Sequence, residues 1–88
     1  MKYDIQIKSK VRKNLPKLPN AVQILFGKLA EDMRDKGPYR NNWPNYSKLS
    51  ENKFHCHLAY KWVACWKYEK ETITIEVYYA GSREKAPY

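Results

Sequence analysis

Acidic residues are scarce in this sequence of 88 residues, which has nine aspartates and glutamates against 17 lysines and arginines. The net charge of +8 argues for a polyanionic partner, most often nucleic acid. The charge is also uneven, because residues 1–19 contain many bases and a single acid, whereas the acids gather at residues 31–35 and 69–71. We therefore expect a basic face rather than a uniformly basic surface.

Long hydrophobic runs are also missing. No apolar segment approaches the roughly 20 residues that a membrane span needs, and the N-terminus lacks the hydrophobic region of a signal peptide. We therefore expect a cytoplasmic protein without a membrane partner. A chain of 88 residues has too little apolar area for two cores, so residues 1–88 are expected to form a single domain.

Only two cysteines are present, Cys56 and Cys65, and neither belongs to a CxxC pair. Both fall in the segment KFHCHLAYKWVACW, which also contains His55 and His57. Alternation along a strand places Cys56 on the face opposite the two histidines, so these neighbours cannot share one tetrahedral metal ion. We expect no metal and no cofactor, and we expect buried thiols rather than a disulfide.

The first half of the chain predicts one strand and two helices. Residues 3–8 alternate with the period of a half-buried strand, and residues 9–15 can form two helical turns. Two prolines then break the helix. A longer helix is predicted over residues 20–36, with Asn20 as its N-cap and Gln23 completing a capping box.

The second half predicts three strands. In residues 54–60 the apolar side chains alternate with His55 and His57, and further strands follow at 61–68 and 72–79 with a polar turn between them. Which face of the second strand joins the histidines stays open. The order β-α-α-β-β-β predicts an α+β fold with two N-terminal helices packed on a small, mainly antiparallel sheet. The apolar residues of the last strand are expected to share one face: Ile73, Ile75, Val77 and Tyr79.

The histidine pair suits the chemistry of RNA cleavage. Two imidazoles on a face away from the apolar residues are not explained as core residues, although ordinary surface histidines are the alternative. Cleavage without a metal needs a base for the 2′-OH, cations for the charge on the phosphorane, and an acid for the leaving 5′-oxygen. His55, His57, Lys61 and Arg83 could supply these functions if they converge.

The sequence resembles the RelE-type toxins of bacterial toxin–antitoxin systems, within the RelE/ParE superfamily, over essentially its whole length. The resemblance rests on "KLP", "GP…WPNYSKL", "FHCHL", "KWVACW" and "GSREKAPY", in that order. It implies a small domain that enters the ribosomal A site and cleaves translated mRNA, leaving a 2′,3′-cyclic phosphate and a 5′-hydroxyl. The implied partners are the 70S ribosome with its rRNA, the mRNA, and an antitoxin that covers the toxin surface.

The resemblance also implies roles for individual residues. Arg83 matches an arginine that is expected to stabilise the transition state, and Tyr88 matches a tyrosine that is expected to stack on a base. Lys61 replaces an arginine, so its phosphate contact is single-point. His55 and His57 replace a pair of lysines. Because related ribosome-dependent toxins use catalytic histidines, we expect His57 to act as the base and His55 to position the phosphate.

Seven further basic residues are expected to contact RNA or the ribosome through phosphates, without reading bases. The seven residues are Lys8, Lys10, Arg12, Lys13, Lys17, Lys53 and Lys85. For the N-terminal residues among them, the alternative is a basic helix that is simply exposed to solvent.

Two other functions stay open: a ParE-like toxin that inhibits DNA gyrase without enzymatic activity, and an inactive RNA-binding module. A ParE-like toxin would share the fold, so convergence of the catalytic residues is what distinguishes a ribonuclease from it.

Overall fold

Helices on one face of a five-stranded sheet make up the fold. The structure is a computed structural model that describes residues 2–88. It confirms the predicted α+β class with its two N-terminal helices. The strands and α-helices are β1 (Asp4–Ile7), α1 (Ser9–Asn14), α2 (Asn20–Lys36), β2 (Ser47–Lys48), β3 (Lys53–Ala59), β4 (Trp62–Tyr68) and β5 (Thr74–Ser82). Two single-turn 3-10 helices lie at Leu15–Lys17 and Arg83–Lys85.

The strands follow the order β1-β5-β4-β3-β2 across the sheet. β1 runs parallel to β5, and the other three pairs are antiparallel, so the sheet is mainly antiparallel as predicted. The short strand β2 was not predicted, because two residues inside a polar loop have no readable period. No helix within residues 2–88 has the combined length and apolarity needed to span a membrane.

The core lies between α2 and one face of the sheet. Trp66 is fully buried there, and its indole N–H donates to the carbonyl of Pro38 over 3.0 Å, so the tryptophan side chain also holds the loop after α2. The helix contributes Val22, Phe26, Leu29 and Met33, and the sheet contributes Phe54, Cys56, Leu58, Ala64, Trp66, Ile75, Val77 and Ala80.

The start of α2 differs from the prediction. Pro19 occupies the N-cap position and Asn20 is the first helical residue. The carbonyl of Pro19 accepts the backbone N–H groups of Val22 and Gln23, because the fixed φ of proline already directs the chain into the helix. The side chain of Gln23 instead donates to the carbonyl of Leu18 over 2.8 Å. The predicted capping box is therefore wrong.

A β-bulge in β5 changes which residues of that strand face the core. Trp66 pairs with Val77 but Cys65 pairs with Tyr79, so Tyr78 is an extra residue between them. Beyond the bulge Tyr79 lies on the face opposite α2, beside Cys65. The expectation that Tyr79 shares a face with Val77 is therefore wrong.

Candidate functional site

The sheet face opposite α2 brings the histidines beside residues of β4 and β5. Across the three strands, His55 pairs with Cys65, and Cys65 pairs with Tyr79. His57 pairs with Val63 in the next row towards the end of the β3–β4 hairpin. The side of β4 that joins the histidines, which the sequence left open, is therefore the one with Val63 and Cys65.

Cys56 and Cys65 are both buried free thiols, as expected. They lie on adjacent strands but on opposite faces, because Cys56 pairs with Ala64 in the core. Burial raises the pKa of each thiol to about 12. Within residues 2–88, no group of three histidine, cysteine or acidic side chains is placed to hold a metal ion.

His55 packs against the aromatic ring of Tyr88. The ring centroids are 4.5 Å apart, the ring planes are inclined at 54°, and His55 is only 8% exposed. Burial lowers the pKa of His55, the neighbouring His57 lowers it further, and a hydrogen bond with the backbone of Ser47 acts in the opposite direction. The hydroxyl oxygen of Ser47 lies 2.9 Å from Nδ1 of His55. His55 is therefore a held, neutral imidazole and not an ordinary surface histidine.

His57 is more accessible and lines an open cleft of about 340 Å³. Its backbone N–H donates to the carbonyl of Pro44 over 2.8 Å, which fixes the loop before β2 against β3. None of the residues that line the cleft is acidic, so a phosphate would meet no like charge there. The lining residues are Pro44, Asn45, His57, Ala59, Tyr60 and Arg83.

Arg83 reaches the cleft from the turn after β5. Its backbone N–H donates to the carbonyl of Lys61 over 2.7 Å, so the chain after β5 is fastened to the β3–β4 hairpin. The ammonium group of Lys61 lies 5.7 Å from the ring centroid of Trp62 and does not line the cleft. The structure thus brings His57 and Arg83 together in one cleft, which Lys61 does not line.

Tyr88 completes this region but cannot act as a base at neutral pH. Burial raises the pKa of its hydroxyl, Cys65 raises it further, and Arg83 lowers it. Its side chain still has a free surface, because the residue is 52% exposed. The ring is therefore placed to make a further stacking contact with a partner while it covers His55.

Most of the residues expected to contact phosphates line a second groove. This groove has a volume of about 570 Å³ and lies between α1, β5 and the segment after β5. We call it the lysine groove; its cations are Lys8, Lys10, Lys13, Lys17 and Lys85. Two of the seven predicted residues lie outside it: Arg12 contacts the carbonyl of Ile7, and the ammonium of Lys53 lies over the ring of Tyr78.

The loop that forms one wall of the cleft was missed as part of the site. Asp32 accepts a hydrogen bond from the indole of Trp43 over 2.9 Å and pairs with Arg40 at 3.3 Å. The bond from Trp43 is the largest cause of the lowered pKa of Asp32. Asn45 has a positive φ of 53°, a conformation that asparagine tolerates well. The "WPN" triplet was the available signal, because Pro–Asn is typical of a fixed turn.

The fold is that of the RelE-like α+β toxins. Archaeal RelE from Pyrococcus horikoshii, in its complex with RelB, matches 98% of this chain and 100% of its own with a TM-score of 0.76 and 17% identity. A mutant of the E. coli toxin RelE in the free state matches 98% of this chain and 88% of its own, with a TM-score of 0.76 and 15% identity. YoeB from Staphylococcus aureus, in the structure of its dimer, matches 92% of this chain and 97% of its own, with a TM-score of 0.72 and 8% identity.

No protein-family model matches this sequence, and comparison with the curated proteins gives no match either. At identities of 8–17%, the structural likeness establishes the shared fold. An argument about activity therefore has to rest on the site.

Proposed function

We propose that this chain is a RelE-type toxin that cleaves mRNA in the ribosomal A site and so inhibits translation. The observation that carries the proposal is the meeting of His57 and Arg83 in a cleft without acidic residues, beside the Tyr88–His55 pair. A gyrase inhibitor of the same fold needs no such convergence, and an inert RNA-binding module does not either.

In the proposed reaction, His57 takes the proton of the 2′-OH, and the 2′-oxygen attacks the adjacent phosphorus. The guanidinium of Arg83 stabilises the negative charge on the phosphorane oxygens. The bond to the 5′-oxygen breaks, and the leaving oxygen takes a proton from water. The products are a 2′,3′-cyclic phosphate and a 5′-hydroxyl, and His57 returns its proton to solvent. None of these steps uses a metal or cofactor.

The cover over His55 changes the role that we assign to it. Because His55 is only 8% exposed and packs against Tyr88, its imidazole has little surface left for a phosphate. With Tyr88 in place, His55 supports the ring that is expected to stack on a base of the substrate. We therefore assign His55 to positioning Tyr88. For Lys61, whose carbonyl accepts the backbone N–H of Arg83, we keep the expectation of a single phosphate contact.

The lysine groove supplies the proposed contact with the ribosome. Its five lysines are exposed, and no acidic residue lines the groove, so it can follow the phosphates of ribosomal RNA without reading bases. This binding would restrict cleavage to ribosome-bound mRNA in the cytoplasm. Because RelE from P. horikoshii occurs in a complex with RelB, we also expect a cognate antitoxin that covers this surface.

The test is cleavage of a defined mRNA by the purified protein, with and without programmed 70S ribosomes, with the ends mapped by primer extension. We expect cuts at A-site codons that need the ribosome. His57→Ala and Arg83→Ala should each lower the rate by about 100-fold or more. Arg34→Ala, a change at an exposed arginine of α2, is the matched control and should cleave normally.

Two results would refute the proposal. If the wild-type protein cleaves neither free nor ribosome-bound mRNA, the enzymatic function is wrong, and inhibition of gyrase supercoiling becomes the assay to run. If the wild type cleaves but the variants at His57 and Arg83 cleave equally well, the activity is present but the assigned site is wrong.

A further inference from the structure

We propose that the cleft holds one unpaired base of the substrate between Tyr60 and the loop residues Pro44 and Asn45, so that Tyr60 stacks on the base and Asn45 reads its edge. The inference rests on the proposed function, because it names how the same cleft would orient an RNA substrate. It concerns residues to which the reaction above gives no role.

Tyr60 is unusually placed for a large aromatic residue. It is 86% exposed and lies in the two-residue turn between the paired residues Ala59 and Trp62. A ring left in water contributes little to the fold, whereas exposed aromatic rings are the standard platform for unpaired bases of RNA. Because the flanking residues pair with each other, the ring projects from a short, fixed turn.

The loop that contributes Pro44 and Asn45 to the cleft is also fixed. The carbonyl of Pro44 accepts the backbone N–H of His57, and the preceding Trp43 is bonded to Asp32 of α2. Asn45, held at a positive φ, contributes a side-chain amide with one donor and one acceptor group. Such an amide can bind the edge of a base that offers a donor beside an acceptor, as adenine does.

The reacting groups complete the arrangement. His57 and Arg83 line the same cleft, and its volume of about 340 Å³ is at the lower end of the range for ligand pockets, which suits a single nucleotide. The hydrogen bond from Arg83 to the carbonyl of Lys61 ties the arginine to the turn that contains Tyr60. A base stacked on Tyr60 would therefore have its phosphate held at a fixed offset from Arg83.

The experiment compares kcat and KM for ribosome-dependent cleavage across a set of mRNAs that differ in the A-site codon. Tyr60→Ala should raise KM by about 10-fold and leave kcat largely intact, whereas Tyr60→Phe and Tyr60→Trp should retain the wild-type KM because they keep a ring. Asn45→Gly tolerates the positive φ and removes the amide. It should flatten the preference among bases at one codon position. Ile24→Ala, at another exposed apolar side chain, is the control.

The outcomes separate this inference from the proposed function. If the wild type cleaves and Tyr60→Ala has the wild-type KM and codon preference, the base-binding inference is wrong and the proposed function stands. If the wild type does not cleave, the proposed function is wrong. The base site is then decided by NMR titration with a single-stranded RNA tetranucleotide. Upfield shifts of the Tyr60 ring signals support the site, and unchanged signals overturn it.

Discussion

The ring of Tyr88 packs against the imidazole of His55, with the two centroids 4.5 Å apart and the ring planes inclined at 54°. The contact joins the segment after β5 to the middle of β3, two parts of the chain separated by more than thirty residues. His55 is buried, whereas His57, two residues along the same strand, lines the cleft. Two histidines of one strand therefore differ in environment and, as we propose, in role.

Removing the ring of Tyr88 should rehydrate His55. Because burial is the main cause of the lowered pKa of His55, we expect Tyr88→Ala to raise that pKa towards its ordinary value near 6.5. Tyr88→Phe keeps the ring and should leave the pKa unchanged. NMR titration of the imidazole C–H signals measures both. An equal His55 pKa in the alanine variant and the wild type would contradict the finding that Tyr88 covers His55.

The stability of the protein should fall as the pH falls below about 6.5. His55 has a lowered pKa in the folded state, so the unfolded chain binds the proton more readily and folding opposes protonation. The loss of stability begins near the ordinary pKa of histidine and levels off below the lowered pKa of His55 in the folded state. Urea unfolding at a series of pH values from 5 to 8 measures it. His55→Gln should make the curve flatter, and an unchanged slope would show that another group is responsible.

The two cysteines should be unreactive in the folded protein. Burial raises the pKa of both thiols to about 12, so almost no thiolate exists at pH 8, and neither sulfur is accessible to a reagent. We expect an aromatic disulfide reagent to label both thiols rapidly in denaturant. In buffer it should label them only at the rate of unfolding. Rapid labelling of either cysteine in native protein would mean that its strand opens locally.

Asp32 should stabilise the loop that forms one wall of the cleft. Asp32→Ala leaves the buried Arg40 without its partner and removes the bond from Trp43, so we expect a loss of about 2 to 3 kcal/mol in the free energy of unfolding. Trp43→Phe removes only the hydrogen bond and should cost about 1 kcal/mol. Urea unfolding measures both. Equal losses in the two variants would show that the ion pair with Arg40 contributes nothing.

The lysine groove should account for much of the salt dependence of ribosome binding. Replacing Lys8, Lys13 and Lys85 together by glutamine should lower the slope of log affinity against log salt concentration by about 2. The control replaces Lys28, Lys36 and Lys70 by glutamine. These lysines lie outside the groove, and their replacement changes the net charge by the same amount. If the two triple variants lower this slope equally, the groove contributes to ribosome binding only through the net charge of the protein.

The strand β3 and the helix α2 could be predicted because each has a hydrophobic period, and β4 could be predicted as a short apolar run bounded by polar residues. The alternation around His55 and His57 also placed the histidines on the correct face. The bulge at Tyr78 could not be predicted, since one inserted residue leaves the alternation of the sequence before it intact. The face of Tyr79 was therefore wrong, although its strand was correct.

The candidate site was predicted in its composition and less well in its geometry. The resemblance named Arg83, the chemistry of the histidine pair named His57, and both residues line one cleft in the structure. His55 packs against Tyr88, a residue that no local pattern connects to it. The contribution of Pro44 and Asn45 depends in turn on bonds from their loop to β3 and α2. Contacts between distant parts of the chain have no period in the sequence, and such contacts shape this cleft.

The position of β5 has a consequence for the order in which the molecule is made. β5 is the last strand in the chain, yet it lies between β1 and β4 and so joins the two parts of the sheet. Until it leaves the ribosome, β1 has no neighbouring strand and the β3–β4 hairpin lacks its second partner. Arg83 follows this strand, so the cleft gains its arginine only after nearly all of the fold has been synthesised. A nascent chain thus cannot present the complete site to the ribosome that is still translating β5.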